Sequence, residues 1–355
     1  MSLVELAACQ VFVTADDYAS QRRFEAMLAR VGARLDAARA RDERGGFLHP
    51  CLAVFPEMIG MFLPLVDRAG AVRGARTTDG ALACVALRSL PSLLGAMVRH
   101  GATSPKVGFL LAAAPEVWRF YRGAFGRFAR AHGCWVVAGS ALLPRNLHGD
   151  LADRFEPEDG RVYNTSFAFA PDGAHVGCVR KVNLVPTLED VLGLSPGRAD
   201  ELTPFTAPFG KVGTLVCYDG FREPHTHGEP GFCALASRYD QAGCAVLAQP
   251  ASNPWPWEGT WIFADPGEKK LRREQWIDEG LCAQLGDARL AHVRYAVTAQ
   301  LLGRVFDNRF DGRSHILERG DAGARILAEA ERADASPEAE EVVLRAVDLP
   351  ASGAS

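Results

Sequence analysis

Short apolar runs rich in β-branched residues alternate with longer helical patterns along the whole of this 355-residue chain. Such alternation is typical of α/β proteins, in which helices cover buried strands. We predict strands at 5–13, 52–55, 135–139, 166–170, 211–216, 245–248, 296–302 and 342–347, and helices at 18–41, 115–132, 230–241 and 274–290. Hairpin turn chemistry at 171–173 joins the fourth of these strands to a further strand at 176–180.

The segment 60–115 departs from this alternation, because glycines, Pro91 and the polar run 77–79 interrupt it. We interpret it as an insertion within one domain that covers 1–350, followed by a flexible tail at 351–355. Its most apolar window, 80–98, contains Arg88 and Pro91, whereas a membrane span needs about 20 mostly apolar residues. The window therefore predicts a packed helix; a lid, or a surface that contacts a membrane or a partner, is the alternative.

Composition excludes some classes of function. The net charge of −4, without clusters of Lys and Arg between aromatic residues, argues against nucleic acid as a partner. The nine cysteines are scattered and form no C-x-x-C pair, which predicts free thiols in a reducing cytoplasm. The first ten residues include an acid and no basic stretch, so we predict a first strand there and no signal peptide.

Three reactive side chains follow predicted strands closely. Glu57 comes after the strand at 52–55, Lys181 after that at 176–180, and Cys217 after that at 211–216. A thiol of ordinary pKa is mostly protonated at neutral pH, so a nucleophilic cysteine needs a base or a positive charge nearby. Glu57 can act as the base, and Lys181 can supply the charge. Together these residues predict covalent attack on a carbonyl; the alternative is a small buried cysteine beside two solvated charges.

The segments around these residues resemble those of the nitrilase superfamily of carbon-nitrogen hydrolases, in the same order. The resemblance rests on Phe55-Pro56-Glu57, on 180–186 and on Cys217-Tyr218-Asp219, with support from 136–140, 162–165 and 311–314. It implies a four-layer α-β-β-α sandwich, a homodimer or larger homo-oligomer, and neither cofactor nor metal. It also implies that Glu189, eight residues after Lys181, orients the lysine or relays protons.

The resemblance further implies a mechanism. Glu57 accepts the Cys217 proton during attack, Lys181 and the backbone N–H of Tyr218 hold the oxyanion, and water then hydrolyses the thioester to a carboxylic acid. Cys217-Tyr218-Asp219 is similar to the amidase-like branches, which implies a small amide or N-carbamoyl substrate; a nitrile is the alternative. The following segment, 221–224, departs from the Phe-Pro-Glu that many members carry. The resemblance therefore does not predict which residues form that wall of the pocket.

The segment 250–257 follows the strand after the nucleophile, where the family places residues that contact substrate. Asn253, Trp255 and Trp257 are candidates to line an apolar pocket with one polar group, although the tryptophans can equally pack in the core. His225 and His227 form too small a set to predict a metal site, so a polar loop is favoured. A protein without catalytic activity, acting as a scaffold or as a thiol sensor through Cys217, is the alternative from another class.

Overall fold

The computed structural model describes residues 2–349 except 73, 187, 227, 230, 265, 266, 268 and 322. The predicted tail at 351–355 therefore lies outside the described residues. The strands are β1 (Ser2–Thr14), β2 (Cys51–Val54), β3 (Trp135–Val137), β4 (Ala141–Leu143), β5 (Tyr163–Phe169), β6 (His175–Arg180), β7 (Phe205–Ala207), β8 (Gly210–Thr214), β9 (Cys244–Ser252), β10 (Tyr295–Val305), β11 (Asn308–Phe310), β12 (His315–Gly320), β13 (Gly323–Glu329) and β14 (Glu341–Leu349). The helices are α1 (Gln21–Ala38), α2 (Ala69–Val72), α3 (Thr78–Arg88), α4 (Leu90–His100), α5 (Pro105–His132), α6 (Glu189–Leu192), α7 (Ala236–Gln241), α8 (Arg272–Asp278) and α9 (Leu281–Leu285).

The strands form two sheets that are joined along one strand pair. The first sheet contains β1 to β6 and β14, with parallel pairing of β1, β2 and β3. The second sheet contains β7 to β13, with parallel pairing of β8, β9 and β10. The last residues of β1, Val11 to Thr14, pair in parallel with β10 and connect the two sheets.

Both faces of the central strands are buried, which explains their continuous apolar runs. On β1, Val4, Leu6 and Ala8 face the second sheet and join a core between the sheets, together with side chains from β2, β9 and β10. The alternate residues of β1 face α1 and α5, which cover the outer side of the first sheet. Helices α7 and α9 cover the second sheet. The arrangement is the four-layer α-β-β-α sandwich implied by the resemblance, and that prediction is confirmed.

Several predicted boundaries were wrong for local reasons. Helix α5 begins at Pro105 and continues through Pro115, which we had placed at the start of a helix. The helix predicted at 274–290 is divided into α8 and α9 at Gly280, where a Cβ atom would approach the carbonyl oxygen of Trp276 to 2.1 Å. Of the helix predicted at 230–241, the structure describes α7 from Ala236, and Pro230 lies outside the described residues.

The segment 60–115 forms α2, α3, α4 and the start of α5, and α4 packs along α5. Helices α3 and α4 meet at an angle of 92°. No single helix in the described part of the chain is long and apolar enough to cross a membrane, and only the bent pair α3 and α4 reaches that length and composition together. Leu87 and Val98 on this pair are 71% and 86% exposed.

Candidate active site

Each of the two sheets positions part of one cluster of side chains. Glu57 lies three residues after β2, and Lys181 follows β6 directly, so both come from the first sheet. Cys217 opens a 3₁₀ helix, Cys217–Gly220, that follows β8 in the second sheet. All three line one cavity, together with Glu189 at the start of α6.

Lys181 lies between two carboxylates. Its Nζ donates hydrogen bonds to Glu57 Oε1 at 2.8 Å and to Glu189 Oε2 at 2.6 Å, and all three side chains are at most 3% exposed. Burial alone would lower the pKa of Lys181, but the charges of Glu189 and Glu57 raise it well above its ordinary value. The lysine is therefore held as an ammonium ion at neutral pH.

Two further polar side chains hold Glu57, and neither was a predicted site residue. The Asn164 amide donates to Glu57 Oε1 at 2.8 Å and to Glu189 Oε1 at 2.9 Å, and the Ser252 hydroxyl donates to Glu57 Oε2 at 2.5 Å. The sequence carried one signal for each, because Asn164 falls in the family-like segment 162–165 and Ser252 falls in 250–257. These contacts orient the carboxylate of Glu57 on both oxygens.

Cys217 adopts a left-handed backbone conformation, with φ of 49° and 4% exposure. Such a conformation in a residue with a side chain costs about 1–3 kcal/mol and is concentrated at functional sites. Gln249 Nε2 donates to the Cys217 carbonyl oxygen at 2.7 Å, and Thr298 Oγ1 donates to Gln249 Oε1 at 2.7 Å, which fixes this turn. The thiol lies 3.4 Å from the Ser252 carbonyl oxygen.

Burial and the negative charge of Glu57 raise the pKa of the Cys217 thiol above its ordinary value, although Lys181 opposes the shift. Burial also raises the pKa of Glu189, and the nearby Glu57 adds to that rise while Lys181 opposes it. The site thus favours a neutral thiol, and Glu57 beside it is the candidate base.

Asp219 connects the loop of the lysine to the loop of the cysteine. Its carboxylate accepts hydrogen bonds from the backbone N–H of Val182, at 3.1 Å, and of Asn183, at 2.7 Å. Burial raises the pKa of Asp219 to about 7, against the effect of these hydrogen bonds. The residues after Lys181 and after Cys217 are therefore held in one arrangement.

The cavity beside the thiol has a volume of about 220 Å³. Tyr218 and Trp255, both predicted to contact substrate, line it. Asn253 does not: it is buried behind the wall, where its amide donates to the Trp255 and Asp311 carbonyl oxygens. Trp257 packs against the Trp276 ring in the core, so of the two tryptophans only Trp255 reaches the cavity.

Arg272 also lines the cavity and was missed in the sequence, where it occurs in a charged stretch without a distinguishing pattern. It is 2% exposed, its guanidinium lies 3.9 Å from the Trp261 ring centroid, and Nε donates to Asn253 Oδ1 at 2.8 Å. Burial lowers the pKa of Arg272 to about 9, which still leaves it charged at neutral pH.

Within the described residues, no three His, Cys, Asp or Glu side chains are grouped so that they could hold a metal ion. His225 packs its ring against Tyr218 and Trp261, and burial lowers its pKa well below the ordinary value. His227, its predicted neighbour in a polar loop, lies outside the described residues.

Parts of this chain are similar in sequence to known carbon-nitrogen hydrolases. The family model "Carbon-nitrogen hydrolase" matches residues 120–223. Human "Omega-amidase NIT2" is 34% identical over 115 residues, which are 29% of this chain and 37% of the human protein, so the match spans well under half the length of that relative.

Solved structures are similar over almost the whole chain. A carbon-nitrogen hydrolase from Helicobacter pylori G27 has a TM-score of 0.59 and 16% identity, covering 98% of this chain and 89% of that one. A mutant amidase from Nesterenkonia sp. AN1, with the acetamide moiety of fluoroacetamide covalently added at its active-site cysteine, has a TM-score of 0.53 and 14% identity, covering 98% and 90%. The partial family match and the amidase relatives show that this chain is similar to carbon-nitrogen hydrolases, and the solved structures show that it shares their fold.

Proposed function

We propose that this protein is an amidase that hydrolyses the C–N bond of a small amide or N-carbamoyl compound through a thioester on Cys217. The observation that carries the proposal is the buried Cys217 thiol next to Glu57. Lys181, Asn164 and Ser252 orient the carboxylate of Glu57. Support also comes from the names of the similar proteins, an omega-amidase and an amidase that is modified at its cysteine.

In the acylation step, the Cys217 sulfur attacks the carbonyl carbon and its proton passes to Glu57. Lys181 and the backbone N–H of Tyr218 stabilise the negative oxygen of the tetrahedral intermediate. That N–H belongs to the first turn of the 3₁₀ helix, where backbone donors are not used within the helix. Glu57 then gives its proton to the nitrogen, the C–N bond breaks, and ammonia or an amine leaves.

In the deacylation step, a water molecule gives a proton to Glu57 as its oxygen attacks the thioester carbon. The C–S bond breaks, the proton returns from Glu57 to the Cys217 sulfur, and a carboxylic acid is released. One carboxylate serves as base and acid in turn, so its orientation matters at every step. In this mechanism Glu189 is a positioning residue that holds the ammonium of Lys181 beside Glu57.

Intact-protein mass spectrometry with slowly hydrolysed amides tests the thioester. We expect an added mass equal to the acyl group on the wild-type protein and none on Cys217→Ala, which should also lose turnover. Cys84→Ala is the matched control, because Cys84 is an exposed free thiol away from the cavity. Unchanged turnover in Cys217→Ala would contradict the proposal and favour another nucleophile.

A panel of amides, N-carbamoyl compounds and nitriles, assayed for ammonia and acid, distinguishes the substrate classes. We expect turnover of amides or N-carbamoyl compounds; turnover of nitriles alone would replace the proposal with a nitrilase. A homo-oligomer, a cytoplasmic location and the interpretation of 60–115 as an insertion stay predictions.

A further inference from the structure

A second cavity of about 460 Å³ lies next to the catalytic one, between α3, α4 and α5. The two cavities share four lining residues, Met61, Thr78, Asp79 and Leu192. The two cavities are therefore adjacent, and these four residues form the wall that they have in common. Its volume falls within the range of cavities that hold small organic ligands, about 300–1,000 Å³.

The interior of this second cavity is apolar. Its deep wall consists of Phe62, Leu93, Phe109 and Leu110, each at most 5% exposed. Charged groups lie only at its edge, where Lys106 Nζ and Asp79 form an ion pair at 3.0 Å. The cavity opens to solvent on the side of Leu87 and Leu94, which are 71% and 50% exposed. An apolar cavity gives water few hydrogen-bond partners and binds apolar molecules instead.

The wall common to the two cavities contains one anchored residue, Thr78, and one adaptable residue, Met61. The Thr78 backbone N–H and hydroxyl donate to Asp307 Oδ1 at 2.8 and 3.0 Å, and Asp307 itself lines the catalytic cavity. Met61, which lines both cavities, has an unbranched side chain that changes rotamer easily. The start of α3 is thus fixed to the catalytic site, whereas a change of rotamer at Met61 would open the common wall to a narrow chain.

We propose that the substrate carries an unbranched aliphatic chain that occupies this apolar cavity while its amide group lies at Cys217. The inference rests on the proposed amidase function and specifies its substrate class. A polar substituent would lose its hydration in the apolar cavity, and a branched one would need a larger displacement of Met61 in the common wall. An unbranched alkyl chain binds favourably to this apolar lining, because each methylene group moves from water into apolar surroundings.

The test is a series of straight-chain primary amides from acetamide to octanamide, with N-alkyl acetamides of equal length as a second series. We expect kcat/KM to rise about three- to fourfold for each added methylene in one of the two series, the gain for burying one CH₂ group. The series that shows the gain identifies which side of the amide bond bears the chain.

Two substitutions on α3 form a matched pair. Ala86→Phe places a ring in the apolar cavity, because Ala86 lines it, and we expect the gain with chain length to disappear. Cys84→Phe adds the same bulk to the same helix at an exposed residue outside both cavity walls, and we expect it to retain the gain.

The outcomes separate the two proposals. Turnover of acetamide with no gain along either series would overturn the inference and leave the amidase proposal standing. Failure to hydrolyse any amide or N-carbamoyl compound would overturn the amidase proposal, and calorimetric titration with octanamide then tests whether the cavity binds an alkyl chain. Binding that Cys84→Phe retains and Ala86→Phe loses supports the cavity as a chain site, and absence of binding to the wild-type protein overturns it.

Discussion

At the scale of single residues, the candidate site depends on the carboxylate of Glu57, which its hydrogen bonds hold in one orientation. Both of its oxygens accept hydrogen bonds, from Lys181 and Asn164 on one side and from Ser252 on the other. A group that must take a proton and return it gains from such fixed geometry, because no reorganisation is needed during the reaction.

Glu57→Gln keeps the size and most of the hydrogen bonds of this side chain but removes its basicity. We expect kcat for a small amide to fall by a factor of about 10²–10⁴, the usual contribution of a positioned acid and base. Steady-state kinetics measures the loss, with Glu25→Gln as a control because Glu25 forms a surface ion pair with Arg127. Full activity of Glu57→Gln would remove this residue from the mechanism.

Arg272→Met tests the buried arginine through stability. The substitution leaves the acceptor oxygens of Asn253 and Gln275 without their donor, so we expect the free energy of unfolding to fall by about 1–3 kcal/mol. Denaturant titration measures the change. Arg273→Met, at the neighbouring and half-exposed residue, should stay within about 0.5 kcal/mol of the wild type; equal losses in both variants would refute this account.

Glu57, Lys181 and Cys217 could be predicted because each follows an apolar run within three residues, and that pattern is local. Asn164, Ser252 and Arg272 could not be assigned roles in the same way. The contact of Ser252 with Glu57 joins residues 195 apart in sequence, and that of Asn164 joins residues 107 apart. Their function follows from partners that only the tertiary structure brings near.

At the scale of elements, the site is held by turns that follow strands. Gly139, just after β3, has φ of 75°, and a Cβ atom there would lie 2.1 Å from the carbonyl oxygen of Pro56, directly before Glu57. The absence of a side chain at this glycine thus fixes how close the loop of Glu57 can approach the strand beside it.

Gly139→Ala should therefore lower both stability and activity. Gly133→Ala is the matched control: Gly133 also has a positive φ, of 53°, but a Cβ there meets nothing within 4 Å. We expect Gly133→Ala to cost about 1 kcal/mol for the backbone conformation alone and to keep its kcat. Gly139→Ala should cost more and lower kcat; similar effects of both substitutions would contradict a steric role.

The link through Asp219 predicts a pH dependence. The pKa of Asp219 is raised by burial to about 7, from an ordinary value of 3.8, so the folded state favours the protonated carboxyl. Its contribution to stability is complete below the ordinary value and is lost as the pH rises through about 7.

Asp219→Asn should abolish that loss. We expect the variant to gain stability relative to the wild type by up to about 4 kcal/mol between pH 4 and pH 8, measured by denaturant unfolding at both values. Parallel stability profiles for the two proteins would show that the hydrogen bonds from Val182 and Asn183 keep the pKa of Asp219 near its ordinary value.

The elements that could be predicted are those buried on both faces, such as β1, β9 and β10, because their apolar runs are long. The short strands β4, β7 and β11 have three residues each and carry no pattern that differs from a loop. Helix α5 was shortened in the prediction because Pro115 usually marks a helix start, whereas packing against the first sheet keeps the helix continuous through it.

At the scale of the whole molecule, the candidate catalytic groups come from two sheets whose spacing is set by the core between them. Val297→Ala would remove two methyl groups from that core, and Val31→Ala would do so in the layer between α1 and the first sheet. Both should lose roughly 1–3 kcal/mol of stability. We expect only Val297→Ala to lower kcat, and equal activity in the two variants would contradict a role of sheet spacing.

The joining of the sheets through β1 and β10 also determines how a bound molecule acts on the rest of the protein. Glu57 and Lys181 belong to one sheet and Cys217 to the other, so an acyl group on the sulfur that also contacts the ammonium bridges the sandwich. The contact of the acyl group with the ammonium exists only in the folded state. Acylation of the thiol should therefore add one non-covalent link between the two halves of the fold.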